Sequence, residues 1–89
     1  MDLQLRCRLA SMLIAIRYDK KQTQTKVAKK LGVTFQQVQK YERGINAISL
    51  DKLLTFCEAT NTDLSWFLRP LDKLGKKLYI NGRAKWTKQ

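Results

Sequence analysis

Eighty-nine residues with 44% apolar content are enough for one small domain with its own core, and a net charge of +11 is high for such a chain. There is no histidine, and the two cysteines, Cys7 and Cys57, lie far apart without ligand-type neighbours, so a zinc site is not expected. Nor is a bilayer span: no run approaches the roughly 18 apolar residues one requires. The charge is unevenly spread. Residues 1–44 carry +7, residues 45–68 carry −2 and residues 69–89 carry +6. A polyanion held by the first part fits that distribution.

Asp2, Arg6 and Arg8 interrupt any apolar leader, so a cytoplasmic location is expected. Leu9, Met12, Leu13 and Ile16 repeat at helical spacing and predict a first helix over 3–18, with Arg6, Arg8 and Arg17 on its other side. Thr23 is a good N-cap for a second helix ending near Leu31. Gly32 tolerates the left-handed backbone that closes it. Thr34 caps a third helix, and Gln37 three residues later completes a capping-box pattern. That helix ends near Glu42, and Gly44 lets the chain turn. Within it, Val38 and Tyr41 face inward. Phe35, Gln36, Gln39 and Lys40 are left outside, where they can meet DNA.

Ser49 caps a fourth helix, with Asp51 in its positive first turn. Leu50, Leu53, Leu54 and Cys57 form its apolar stripe. Cys7 and Cys57 both sit in apolar helical register and are expected to pack as small hydrophobes. Thr62 caps a short fifth helix in which Leu64, Phe67 and Leu68 look inward, and Pro70 ends it. The expected fold is all-α, five helices over 1–70, followed by a basic tail over 71–89. In the tail, Leu78-Tyr79-Ile80 is β-prone, Asn81-Gly82 is a hairpin-turn signal, and Trp86 follows. A β-hairpin and an unstructured basic extension both fit it.

The order of Ala28, Gly32 and Val38 within Gln24 to Tyr41 is that of a helix-turn-helix. Leu31 to Gly44, LGVTFQQVQKYERG, resembles the signature of the lambdoid-repressor and Cro family, also called the Xre family. Ser49-Leu50 and Leu53-Leu54 match it as well. The resemblance implies a compact repressor-like domain that reads bases with Phe35, Gln36 and Lys40. Gln24 at the start of the second helix and Arg43 after the third correspond to phosphate-binding positions. Gln37 and Gln39 are neighbours of that set. Arg17 and Glu42 correspond to a structural salt bridge. The family usually carries glycine where this chain has Lys21, which predicts an altered first turn and a Lys21 that faces a phosphate. Phe35 stands where polar residues are common, so it either packs on thymine methyl groups or braces the turn.

The resemblance implies a sequence-specific transcriptional regulator, a repressor that binds double-stranded DNA as a homodimer on a pseudo-palindromic operator. An alternative is an antitoxin-type module that neutralises a protein partner through residues 71–89 and represses its own operon. An enzyme is not expected, because the chain has no Gly-rich phosphate loop and no clustered carboxylates. Nothing in it calls for a cofactor.

Overall fold

The first helix, α1, spans Leu3–Asp19, and Leu9, Ala10, Met12, Leu13 and Ile16 give it a continuous buried stripe. It belongs to a computed structural model that describes residues 3–69. Three further helices follow, α2 over Gln24–Leu31, α3 over Phe35–Glu42 and α4 over Leu50–Thr60. Residues 64–69 form α5. The architecture is all-α, and no strand occurs among the described residues. The domain boundary near residue 70 and the candidate hairpin of the tail lie outside the described residues.

Helices α2 and α3 start on side-chain caps. Thr23 Oγ1 accepts the Lys26 N–H at 3.1 Å, and Thr34 Oγ1 accepts that of Gln37 at 3.0 Å. The expected capping box is only half made. The Gln37 side-chain amide turns away and donates to Asn46 Oδ1 at 3.3 Å. Ser49 occupies the N-cap of α4 but makes no capping bond; its hydroxyl donates to Asp51 Oδ1 at 2.6 Å. That bond, above all, holds the Asp51 carboxyl below its ordinary value. Thr62 does not cap α5. It precedes the turn, and its hydroxyl engages the Thr60 carbonyl, while Asp63 supplies the first α5 carbonyl acceptor.

Helices α1 to α4 close on one repeated device. One residue past each last turn enters the left-handed region: Lys21 at φ 55°, Gly32 at 70°, Gly44 at 73° and Asn61 at 53°. In each case the next N–H reaches back five residues, as Gln22 does to the Arg17 carbonyl at 2.9 Å and Val33 to that of Ala28 at 3.0 Å. Ile45 donates to Lys40 and Thr62 to Cys57 in the same way, both at 2.9 Å. Glycine and asparagine tolerate this backbone, whereas lysine has a Cβ that disfavours it. Lys21 therefore keeps the turn that glycine usually makes, against the expectation of an altered one. At Gly44 the backbone angle alone calls for glycine, since a Cβ there would meet Cys7 Sγ at 3.4 Å, an ordinary contact distance.

α2 packs on both α3 and α4, and α3 packs on α1. Their shared core joins Leu13, Val27, Leu31, Val38, Tyr41, Ile48, Leu53, Phe56 and Phe67. Phe67 is fully buried and meets Phe56 edge-on at 6.0 Å between ring centroids. Burial raises the Tyr41 hydroxyl above its usual value.

Several expected packing roles are corrected. The buried stripe of α4 is Leu53, Phe56, Cys57 and Thr60, while Leu50 is 63% exposed and Leu54 43%. The helix is turned so that Phe56 takes the interior, where its ring fills more volume than Leu54 could. Leu68 is also exposed, because Phe67 and Leu64 already occupy the inward side of α5. Cys57 is buried as expected and its thiol is pushed up by desolvation, but Cys7 is exposed, one turn before the stripe of α1 reaches the core. Of the three arginines expected on the other side of α1, only Arg8 is exposed; Arg6 is half-buried, its Nε buried without a hydrogen-bond partner among the described residues, and Arg17 lies 8% exposed beside Ile16.

Candidate nucleic-acid interface

α3 is held by its inner edge. Val38 and Tyr41 are buried, and Gln36 and Lys40, two residues to either side of Val38, fall on the opposite side of the helix and are exposed. Arg43, one turn beyond Gln39 and two beyond Gln36, is exposed in the same sector. Phe35 is 40% exposed at the margin of the core-facing side. Gln39 is half-buried. Gln37 is half-buried as well, held by Asn46.

Asn46 was not picked out from the sequence. After Gly44 the loop folds back on α3, and the Ile45 and Asn46 N–H groups both donate to the Lys40 carbonyl, at 2.9 and 3.4 Å. That reversal sets Asn46 against Gln37, beside the exposed face of α3. The signal was the Gly44 turn, which fixes where the chain goes next.

The other candidates lie on the turns flanking α2. Lys21 is exposed on the left-handed turn after α1. Gln24 begins α2, and its side-chain amide donates to Glu42 Oε1 at 2.9 Å. An amide nitrogen carries two hydrogens, so one remains for an outside acceptor. Lys52 Nζ donates to the Leu31 carbonyl at 2.9 Å and satisfies the C-terminal end of α2.

Arg17 and Glu42 tie these parts together. Arg17 Nε lies 2.6 Å from Glu42 Oε2, and Nη2 lies 2.9 Å from Oε1, a two-point pair with side chains 10% and 7% exposed. Arg17 Nη1 donates to the Gln22 carbonyl at 3.1 Å. The bond to Glu42 is the main reason the guanidinium is held above its ordinary value. One ion pair thus joins α1, the turn before α2, Gln24 and the end of α3. Among the described residues no group of side chains could hold a metal ion, and no helix is long and apolar enough to cross a membrane.

This arrangement is two helices around a left-handed glycine, with polar side chains presented by the second, and the chain matches the model of the Helix-turn-helix family over residues 15–67. The chain belongs to that family. The matched segment of this helix-turn-helix protein contains every candidate interface residue, the Arg17–Glu42 pair and the core of α2 to α4. A similar protein of Rhodospirillum rubrum, named an uncharacterized transcriptional regulator in the ATPase CF(0) region, is 40% identical over 50 residues, which is 56% of this chain and 46% of that protein. An uncharacterized HTH-type transcriptional regulator of Rickettsia conorii is 31% identical over 68 residues, 76% of this chain and 54% of the relative. Another, from Sinorhizobium fredii, is 41% identical over 54 residues, 61% of this chain and 36% of the relative. The chain spans about half or less of the length of these relatives.

Proposed function

We propose that this helix-turn-helix protein is a sequence-specific DNA-binding transcriptional regulator, a repressor that acts as a dimer on a pseudo-palindromic operator. The observation that carries the proposal is the exposed face of α3, where Gln36, Lys40 and Arg43 stand opposite the buried Val38 and Tyr41. A helix held by one edge, with long polar groups on the other, suits the B-form major groove. Gln36 has the donor and acceptor needed to pair with adenine N7 and N6, and Lys40 can donate to guanine O6 and N7. Phe35, at the N-terminal end of α3, contributes apolar contact to a thymine methyl group. Gln39 reads at the margin of this set.

Gln24, Gln37, Arg43 and Lys21 serve as phosphate contacts that fix register without reading sequence. For Gln24 the start of α2 assists, since its free N–H groups favour an anion. A single small domain offers few base contacts, which favours two copies reading successive major grooves about 34–36 Å apart. The names of the similar proteins, all transcriptional regulators, support the same reading. Selection of bound sites from a random DNA pool tests it. The expected product is a short inverted repeat with half-sites about one helical turn apart. Recovery of unrelated sequences at the rate of the starting pool would refute sequence-specific binding, and an enriched single half-site would refute the dimer.

A further inference from the structure

α4 leaves an apolar strip uncovered among the described residues. Leu50 and Leu54, one turn apart, are both exposed. Where α4 approaches α5, Leu54 and Leu64 line an open groove of about 350 Å³, with Glu58, Asn61 and Asp63 also on its walls. Glu58 and Asp63 are exposed, and neither forms an ion pair among the described residues. Asp51 lies on the same side of α4, one turn before Leu54. The remaining described acids are Asp19 and Glu42, and Glu42 is committed to Arg17. The groove therefore sets two exposed carboxylates, Glu58 and Asp63, beside Leu54 and Leu64 in a chain of net charge +11. Its complement is a cationic segment that also carries aromatic side chains.

The chain contains such a segment. Residues 71–89 hold Tyr79 and Trp86 together with Lys73, Lys76, Lys77, Arg83, Lys85 and Lys88, against a single acid, Asp72. We propose that residues 71–89 occupy the α4–α5 groove of their own chain, with aromatic side chains against Leu54 and Leu64 and cations against Glu58 and Asp63. The tether permits it. α5 starts at the groove with Leu64 and runs to residue 69, so its exit is only about 9 Å away by helical rise. Extended chain covers roughly 3.3 Å per residue, and three or four residues are enough to return. Covalent attachment a few residues away holds the segment at an effective concentration on the order of millimolar, which favours it over the same segment of a second copy. Burial of the rings supplies the non-electrostatic part of the contact, and the charges supply a part that weakens as salt shortens the Debye length.

The test uses the full chain with a nitroxide on the tail. Cys7→Ser removes the exposed thiol, Cys57 stays buried, and Thr87→Cys provides the attachment point. The expected result is loss of the amide NMR signals of Leu54, Glu58, Asn61, Asp63 and Leu64, with those of α3 retained and all restored once the nitroxide is reduced. Glu58→Lys combined with Asp63→Lys should abolish the selective loss, and high salt should diminish it. Both positions are exposed, and a helical circular dichroism spectrum confirms that the variant folds; Glu58→Gln with Asp63→Asn replaces it otherwise. Signal loss centred on α3, or spread evenly over the surface, overturns the proposal. So does loss seen only when isotope-labelled chain without nitroxide is mixed with unlabelled chain that carries it, because a second copy would then fill the groove.

Discussion

Replacing Arg17 with alanine should cost this protein most of its stability. The side chain makes two bonds to Glu42, at 2.6 and 2.9 Å, and one to the Gln22 carbonyl at 3.1 Å. Truncation leaves Glu42, whose side chain is 7% exposed, with only the Gln24 amide as a partner in a site that water scarcely reaches. Stranding one member of a buried pair costs about 3–5 kcal/mol. At roughly 0.05–0.15 kcal/mol per residue, a domain of about 70 residues has only about 3–10 kcal/mol to lose. Each kcal/mol moves the midpoint of so small a domain by about 4–8 °C, so the expected fall is tens of degrees. Thermal melting by circular dichroism reads it. The double substitution Arg17→Met with Glu42→Leu removes both charges and keeps similar volume, and it should recover most of the loss. A single-variant midpoint within the ~1 kcal/mol typical of exposed pairs would refute the reasoning.

Other substitutions separate the remaining claims. Lys21→Gly should raise stability by about 0.5–1 kcal/mol in urea unfolding, because it relieves a left-handed lysine at φ 55°, yet weaken DNA binding by removing a cation. A loss of stability would mean that the turn gains nothing from glycine. Phe67→Ala should cost about 3–5 kcal/mol, and Leu68→Ala, at a 43% exposed site, well under 1 kcal/mol; equal costs would contradict the orientation of α5. Asp51 is held below its ordinary value by Ser49, so its contribution is present above the unfolded-state value and disappears as pH falls through the lower folded value. Accordingly, Asp51→Asn should lower the urea midpoint near neutral pH and match the parent in strong acid, and a difference that persists in acid would show another cause.

Local chemistry made much of this fold legible. Thr23, Thr34 and Gly32 act through their own backbone neighbourhoods, and the helix starts and the left-handed turn stand where those residues placed them. Periodicity placed Leu9, Met12, Leu13 and Ile16 of α1 in the core but misplaced Cys7, which is exposed, and Arg17, which is buried. It failed on α4, where Leu50, Leu53, Leu54, Phe56 and Cys57 offer two overlapping stripes, and only the packing against α2 and α5 selects the one containing Phe56. The side-chain turns of Gln37 and Ser49 were hidden for a related reason. Each hydroxyl or amide had more than one partner within reach, and Asn46 and Asp51 offered bonds that the capping pattern does not consider. On the interface, spacing alone picked out Phe35, Gln36 and Lys40 of α3 as exposed, whereas Gln39, expected with them, is half-buried. The contribution of Asn46 depended on a loop path that no periodicity encodes.

The central claim is that α3 reads bases, and Gln36→Ala tests it most directly. Gln36 is exposed opposite Val38 and makes no bond that the fold depends on, so its removal should leave the melting midpoint unchanged. Binding of parent and variant is measured at one salt concentration, on a selected operator and on scrambled DNA of equal length. The account predicts a loss of about 1–3 kcal/mol on the operator and almost none on scrambled DNA. An equal loss on both, or no loss on the operator, would contradict it.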